Sequence, residues 1–580
     1  MRKIKEELNE TKNNLKMTWR FIKKRKKKLF IMTFISLIVS IIGVITPILS
    51  AKLLLNLSNG LFMDLIRVSL FMFIVELIRN LLSLILSRMF DYYMTDTLTE
   101  VQLEMFSETL KIESCDIDKN TSGTFIDRIN NDTNDIIRIF DNLISYFLDF
   151  ISNVGVLVAI FIISKEMFFY FVITTILLGF ISRKRRNIFQ EQSKRYRKIR
   201  ESRTGLVSEI VRGIKDVKLL NAEDGILKKA NKQLLKVNKE SIAMDKTTRV
   251  FSFISHNIRD LFDVLFFMLG VFLVTNGSLS VANFVVLYTY KGRTESILNY
   301  YNYIADMIKN YNLSASRVFE VLEGGFKKED INGEDISKMD GAISFRNVSF
   351  SYDEDLVLDD VSFDIKPGER VGFVGESGSG KSTIFNLLTK LYQFDSGDIL
   401  IDGKSIKDIS IKSIRSHISL IPQNPYIFNF SIKENLVISN LKASDEEIID
   451  ACRKAEIYDR ILEFDDGFKT EVGEGGVTLS GGEKQRLAIA RSLLKKSNII
   501  LFDEATSALD NITQDKVQKA IYGLDKTKTI LIIAHRLSTV INCDKIVVVD
   551  NGKIIDIAPH EELLKRCSKY QELFKYEDID

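Results

Sequence analysis

The chain is poor in proline and cysteine and has no surplus of charge of either sign. Five prolines in 580 residues, beside abundant Lys, Ile and Asn, say little about function. The four cysteines, Cys115, Cys452, Cys543 and Cys567, are scattered without metal-ligand spacing. Free thiols in a reducing compartment are expected. Lys+Arg (80) and Asp+Glu (77) nearly cancel at +3, which argues against bulk nucleic-acid binding. A cleavable signal is also missing, because the first apolar run is already long enough to span a bilayer. His256, His417 and His560 lie far from any motif and read as packing or surface residues.

What the chain does have is an uneven spread of apolar residues. They make up 46% of it, yet mean hydropathy is only +0.04. Very apolar and ordinary soluble parts therefore share one chain, and its length calls for two or more domains. Residues 1–28 are polar and basic, ending in Lys23-Lys24-Arg25-Lys26-Lys27-Lys28. Leu15, Met17, Trp19, Phe21 and Ile22 are interleaved, the composition of an amphipathic elbow at a membrane surface. Directly before an apolar span, the basic run reads as a positive-inside anchor rather than a nuclear address.

Six apolar runs follow, over 29–57, 65–90, 140–164, 167–181, 250–276 and 280 to about 304. A spanning helix needs about 20 apolar residues. Pro47 falls inside the first run, where a membrane helix tolerates it. Outer connections near 58, 165 and 277 are short, whereas inner segments 91–139 and 182–249 are long and polar. Arg183-Lys184-Arg185-Arg186 opens the second inner segment, so positive-inside logic puts both, with the N-terminus, in the cytoplasm. Their helices should run past the membrane and turn near 116–123 and 213–223.

Charges within the spans are few. Glu76 and Arg79 are spaced to pair, as are Arg259 and Asp263, and these four read first as structural pairs. Lys291 and Arg293 have no obvious local partner, so a substrate cavity and a structural role stand level for them.

Residues 322–341 read as a linker. From Ala342 the pattern changes to short β-rich runs alternating with helices: Ile343–Tyr352, 399–403, Ile418–Ile421, 498–502, 529–534 and Lys545–Asp550. That predicts an α/β domain. Within it stands Gly375-Glu376-Ser377-Gly378-Ser379-Gly380-Lys381-Ser382-Thr383, which fits G-x-x-x-x-G-K-[ST]. A short buried strand at 370–374 precedes it and a helix over 382–392 follows. Glycines bring backbone amides close to phosphate oxygens, and the helix N-terminus faces their charge. Lys381 can reach the outer phosphates and Ser382 can ligate Mg²⁺. The apolar run 498–502 ends in Asp503 and Glu504. A carboxylate there suits Mg²⁺ ligation, and one residue further it suits polarising an attacking water.

Taken together, these residues resemble the ATP-binding-cassette superfamily. Leu479-Ser480-Gly481-Gly482-Glu483-Lys484-Gln485-Arg486 looks like its signature, with glutamate at 483 where glutamine is more frequent. Ser507-Ala508-Leu509-Asp510 matches the D-loop. Gln423 matches the Q-loop glutamine that senses Mg²⁺, the attacking water and the membrane domain. His535 matches the switch histidine contacting the γ-phosphate, and Tyr352 the aromatic that stacks on adenine. Thr470-Glu471-Val472-Gly473-Glu474-Gly475 resembles a segment typical of exporters.

The resemblance covers nearly the whole chain. It implies a multidomain fold, with an all-α membrane domain of six spans (29–321) followed by an α/β P-loop ATPase domain (342–580). Segments 116–120 and 213–220 would be coupling helices. It implies ATP and Mg²⁺ as cofactors, with Glu504, His535 and Gln423 catalytic. Phosphate and base contacts would come from Tyr352, 375–383, Ser480, Gly481, Gly482 and Asp510. The metal ligands would be Ser382, Gln423 and Asp503. One cassette per chain makes half a transporter, so a second half-transporter is the expected partner, foremost in a homodimer, with a heterodimer as the alternative. Membrane lipids and a transported lipid, amphipathic drug or small peptide complete the partners. A multi-pass place in a bacterial inner or plasma membrane is expected, with the cassette in the cytoplasm. No peptidase domain precedes the anchor, so a leader-cleaving peptide exporter is not expected. An ATP-gated channel and a soluble cassette ATPase are the rivals from other classes, and six spans argue against the latter.

Overall fold

A computed structural model describes residues 2–58, 61–120, 122–473, 476–504, 511–534 and 536–577. The chain divides into two compact units, residues 1–110 with 123–325, and residues 111–122 with 326–580.

The first unit is helical: α1 (Arg2–Lys23), α2 (Lys26–Ser58) and α3 (Phe62–Thr109), then, beyond α4 (Ser114–Lys119) of the second unit, α5 (Ser122–Asp127) and α6 (Thr133–Ile163). A π-helical turn, Arg128–Asp132, joins α5 to α6. There follow α7 (Lys165–Arg212), α8 (Ile214–Leu219), α9 (Glu223–Thr275) and α10 (Val281–Leu322). The expected inner turning points fall at α4 and α8.

Among the described residues, four segments are long and apolar enough to cross a membrane: Lys26–Ser50, Phe62–Thr109, Ser122–Ile163 and Lys165–Arg212. The fifth and sixth expected spans lie on α9 and α10, which are 53 and 42 residues long. Arg259, Asp260 and Asp263 in α9, and Lys291, Arg293 and Glu295 in α10, hold both below that apolarity. Their apolar parts nevertheless pack together. Phe266 and Leu273 of α9 meet Leu287 and Tyr290 of α10, with Ile160 of α6 and Phe171 of α7 in the same buried cluster. Gly270 permits the close approach of α9 to α10, since a Cβ there would lie 2.0 Å from the Phe284 ring.

One intramembrane pair follows sequence spacing and another does not. Glu76 and Arg79 do pair, at 2.8 Å, and the Thr46 hydroxyl donates to Glu76 at 3.0 Å. Asp263, expected to meet Arg259 on its own helix, forms an ion pair with Lys291 of α10. Lys291, expected to have no partner, thus has one on the facing helix. The side chain of Arg293 lies outside the described residues. Lys291→Met should lower the folded yield and the Tm in detergent, because a lone carboxylate stays behind in an apolar bundle. Adding Asp263→Leu should recover most of that loss. A double variant as unstable as the single one would overturn the pairing.

The elbow also finds protein where lipid was expected. Phe21 and Ile22 of α1 are buried, and the Thr18 and Tyr311 hydroxyls share a hydrogen bond of 2.8 Å. Arg20 reaches Glu104 at 2.7 Å and Arg25 reaches Glu100 at 2.7 Å. Asp96, Glu100 and Glu104 recur every four residues on α3, so they form one acidic stripe that meets Arg20, Lys24, Arg25 and Lys28 from the end of α1 to the start of α2.

The second unit is α/β. It contains β1 (Ile343–Tyr352), β2 (Asp355–Ile365), β3 (Arg370–Val374), α11 (Lys381–Leu388), β4 (Ser396–Ile401), β5 (Lys404–Ser405), α12 (Ile411–His417) and β6 (Ile418–Ile421). After these come α13 (Ile432–Val437), α14 (Asp445–Lys454), α15 (Tyr458–Leu462), α16 (Gly481–Leu494), β7 (Ile499–Asp503), α17 (Asn511–Tyr522), β8 (Thr529–Ile533), β9 (Lys545–Asp550), β10 (Lys553–Ala558), α18 (His560–Arg566) and α19 (Ser568–Glu577).

Two sheets form, in the orders β2-β1-β4-β5 and β10-β9-β3-β8-β7-β6. The first is antiparallel. In the second, β3 lies parallel between β8 and β9, and β7 lies parallel between β6 and β8. Both central strands are buried apolar runs, as parallel strands covered on two faces require. An aromatic series ties the layers together. Phe345 stacks on Phe363 at 4.4 Å, Phe363 meets Phe373 of β3 at 5.6 Å, and Phe373 meets Phe385 of α11 at 5.9 Å. That packing fixes the strand and the helix on either side of the phosphate loop.

The expected linker is not loose. Lys327 bridges Glu113 at 3.0 Å, and Arg415 holds Glu329 through two hydrogen bonds of 2.9 and 2.7 Å.

Candidate functional site

The loop 375–380 leaves the C-terminal end of β3 and enters α11, at the edge where a parallel sheet presents ligands. Gly375 has φ +154° and a Cβ there would lie 2.0 Å from the Val549 carbonyl oxygen, so only glycine fits. Gly378 and Gly380 have φ of +82° and +99°, where side chains are disfavoured. Glu376, Ser377 and Gly378 are exposed at the rim, while Ser379, Lys381 and Thr383 are buried. The Lys381 ammonium folds over the loop and donates to the carbonyls of Gly375 (2.9 Å) and Glu376 (2.7 Å). Burial holds its pKa below the usual lysine value, while Glu504 and Asp503 pull the other way. A cation desolvated like this interacts strongly with phosphate. The expected helix over 382–392 stops early, at Leu388, because Lys390 turns left-handed at φ 51°.

Strand β7 brings the acids to the same edge. The Ser382 hydroxyl donates to Asp503 at 3.0 Å. A hydroxyl and a carboxylate so placed, with phosphate oxygens and water, form a donor set of the kind Mg²⁺ takes. Glu504 comes just after the strand. Its amide still bonds the Ile533 carbonyl at 3.0 Å, yet its φ is 51°. A non-glycine residue in that region stores strain of order 1–3 kcal/mol, which clusters at functional sites. The Gln423 amide donates to the Glu504 carboxylate at 2.6 Å. Gln423 follows the neighbouring strand β6, so the pairing of β6 with β7 sets these two side chains together.

Tyr352 ends β1. Its ring stands edge-on to Phe350 (4.7 Å) and Tyr392 (5.0 Å), and its hydroxyl accepts from Asn386 of α11 at 3.4 Å. Tyr392 in turn hydrogen-bonds Asp118 of α4, and Lys119 pairs with Asp353 at 2.5 Å. The first expected coupling segment therefore packs beside the aromatic platform.

The signature forms the start of α16. Ser480 is the N-cap, with Glu483 completing a capping box: the Ser480 hydroxyl accepts from the Glu483 amide at 3.3 Å, and the Glu483 carboxylate accepts from the Ser480 amide at 2.7 Å. Burial pushes the Glu483 carboxyl up, but the Ser480 amide and hydroxyl and the Arg460 guanidinium outweigh it, so its pKa ends lowered. The Gln485 amide donates to the Gln423 carbonyl at 3.3 Å, linking signature and Q-loop. A cavity of about 520 Å³ lies between them, lined by Asn424, Tyr426, Asn429 and Leu479 among others.

The structure thus brings together 375–383, Asp503, Glu504 and Gln423. His535, Asp510 with the rest of the D-loop, Glu474 and Gly475 lie outside the described residues. Among the described residues no cluster of three or more His, Cys, Asp or Glu side chains forms a metal site. All four cysteines are free. Sequence reasoning missed Arg460, Tyr392 and Lys569. Lys569 of α19 reaches the loop residue Glu376 at 2.5 Å, and no local signal announces any of the three.

Comparison with known proteins matches both parts of the chain. Residues 29–292 match the family described as ABC transporter transmembrane region, and residues 358–507 match ABC transporter. A multidrug export ATP-binding/permease protein of Staphylococcus aureus is 31% identical over 528 residues, covering 89% of this chain and 90% of that one. An ATP-dependent lipid A-core flippase of Francisella tularensis is 30% identical over 485 residues, covering 81% and 78%. A heavy metal tolerance protein of Schizosaccharomyces pombe is 42% identical over 301 residues, but this chain spans only 36% of its length. With a helical membrane region followed by an α/β ATPase domain, and with half-transporter exporters among its homologues, the chain belongs to the ABC transporter family as an ATP-hydrolysing, multi-pass membrane exporter.

Proposed function

We propose that two copies of this chain form an exporter that moves a lipid, an amphipathic drug or a small peptide by alternating access. The carrying observation is the convergence of Lys381, Ser382, Asp503, Glu504 and Gln423 at one sheet edge, in a chain that also carries the membrane helices. Ser382, Asp503 and Gln423 would hold Mg²⁺, which would offset negative charge on the phosphates when bound. Glu504 would accept a proton from the attacking water, with Gln423 positioning its carboxylate. Tyr352 would stack on adenine. Ser480, Gly481 and Gly482 of one cassette would close on ATP held by Lys381 of the other. ATP then favours the closed state by binding it more tightly, and hydrolysis removes that preference. Both the loop and the signature are present in this one chain, which supports a homodimer. The basic inner segments support a cytoplasmic cassette and a place in a bacterial inner or plasma membrane. The names of the flippase and the multidrug export protein support an amphipathic cargo.

Reconstitution in proteoliposomes tests the reading. ATPase should rise several-fold with a transported amphiphile, and the amphiphile should accumulate across the bilayer only with ATP. An ATP-dependent conductance without accumulation would make the protein a channel instead.

A further inference from the structure

The signature helix begins with a feature that works against phosphate binding. Its third residue is Glu483, which is buried. One of its carboxylate oxygens accepts from the Ser480 amide at 2.7 Å. A helix start attracts anions through free amides and its dipole. Glu483 takes up one such amide and adds a full negative charge within the first turn. Ser480 and Gly481 are exposed at the same end. A phosphate arriving there meets that charge where little water screens it.

Arg460 meets the other side of the carboxylate. Its Nε donates to the second Glu483 oxygen at 2.6 Å, from α15, 23 residues away in sequence. Its Nη1 also donates to Glu463 at 2.8 Å, and its guanidinium lies 4.6 Å from the Phe464 ring centroid. The cation is therefore held in place rather than free to swing away. We infer that Arg460 is a positioning residue of the ATPase reaction. It neutralises Glu483, so that the start of α16 can receive a nucleotide phosphate. Arg460 does not itself touch nucleotide and acts through Glu483. The inference rests on the reading that this helix closes on ATP held by the partner's loop.

A cycle of full-length variants tests it. The readouts are the ATP concentration giving half-maximal occlusion, the KM and kcat of ATPase, and the Tm. With Glu483 present, Arg460→Met should raise the ATP concentration needed by about tenfold, the scale of one charged hydrogen bond. On a Glu483→Gln background the same substitution should cost less than about threefold, because no charge remains to offset. Arg460→Lys should keep most of the affinity. Equal losses on both backgrounds, or a fall in Tm that tracks the loss on both, would overturn the inference and leave Arg460 as an anchor of α15. Ser480→Arg separates the two levels. If occlusion survives that substitution, the signature reading itself fails, and the inference with it. If Ser480→Arg abolishes occlusion but the cycle shows no coupling, only the role of Arg460 fails.

Discussion

Glu504→Gln should lower steady-state ATP hydrolysis by about 10²–10⁴-fold, the usual cost of removing a positioned base, and leave ATP binding in place. Three features single out this carboxylate. It follows Asp503, the acid that accepts from the Ser382 hydroxyl, at the end of β7. Its backbone is held left-handed at φ 51° while its amide stays in the sheet. That conformation persists only because the surroundings enforce it. Its carboxylate is gripped by the Gln423 amide at 2.6 Å, which fixes its direction. Glutamine keeps the shape and can still meet Gln423, but it cannot accept a proton from water. Lys381, Ser382 and the loop amides are untouched, so nucleotide should bind and the closed state should persist. Turnover and nucleotide binding measured on the same purified sample decide it. Turnover close to wild type would remove Glu504 from the base role.

Much of this site was legible because its parts are local in sequence. Strand, glycine loop, lysine and helix start are contiguous over 370–388, and each responds to its nearest neighbours. The acids follow a buried apolar run, a pattern that a parallel central strand produces by itself. What could not be read depends on residues brought together by the fold. Asp263 had a plausible partner one turn away, but α9 and α10 pack face to face and Lys291 supplies the charge. The elbow read as a lipid-facing helix because its complement, the acidic stripe of α3, lies about 75 residues further on. Arg460 carries no sequence signal of its contact, since nothing in a five-residue helix points to a residue 23 positions away. Glu483 was the converse case. Its departure from glutamine is visible in the sequence, but the cap it completes is not. The structure shows what surrounds the carboxylate: it is buried, it caps the helix, and the Arg460 guanidinium meets it at 2.6 Å.

Purified mixed dimers of Lys381→Ala chains and Ser480→Arg chains should keep ATP occlusion at one site, whereas either variant homodimer should lose it at both. Each chain has one phosphate loop and one signature. If a site takes its loop from one chain and its signature from the other, the mixed dimer collects both defects in one site. The second site then keeps an intact Lys381 and an intact Ser480. If both elements came from the same chain, each site would carry one defect and none would survive. Lys381 is a severe position to alter, because its ammonium is buried and bonds two loop carbonyls. Alanine there removes the cation and two bonds that shape the loop. Arginine at 480 puts a bulky side chain at the N-cap, removes the hydroxyl that accepts from the Glu483 amide, and opens the capping box. Losing such a cap costs about 0.5–2 kcal/mol, so Tm must be checked before occlusion is compared. The dimers are separated by two affinity tags, and trapped nucleotide is counted per dimer. About half the wild-type count in the mixed dimer is expected. Loss as complete as in the homodimers, in a mixed dimer shown to assemble, would overturn a site shared between chains. Turnover is the weaker readout, because closure with one intact site need not suffice for a full transport cycle.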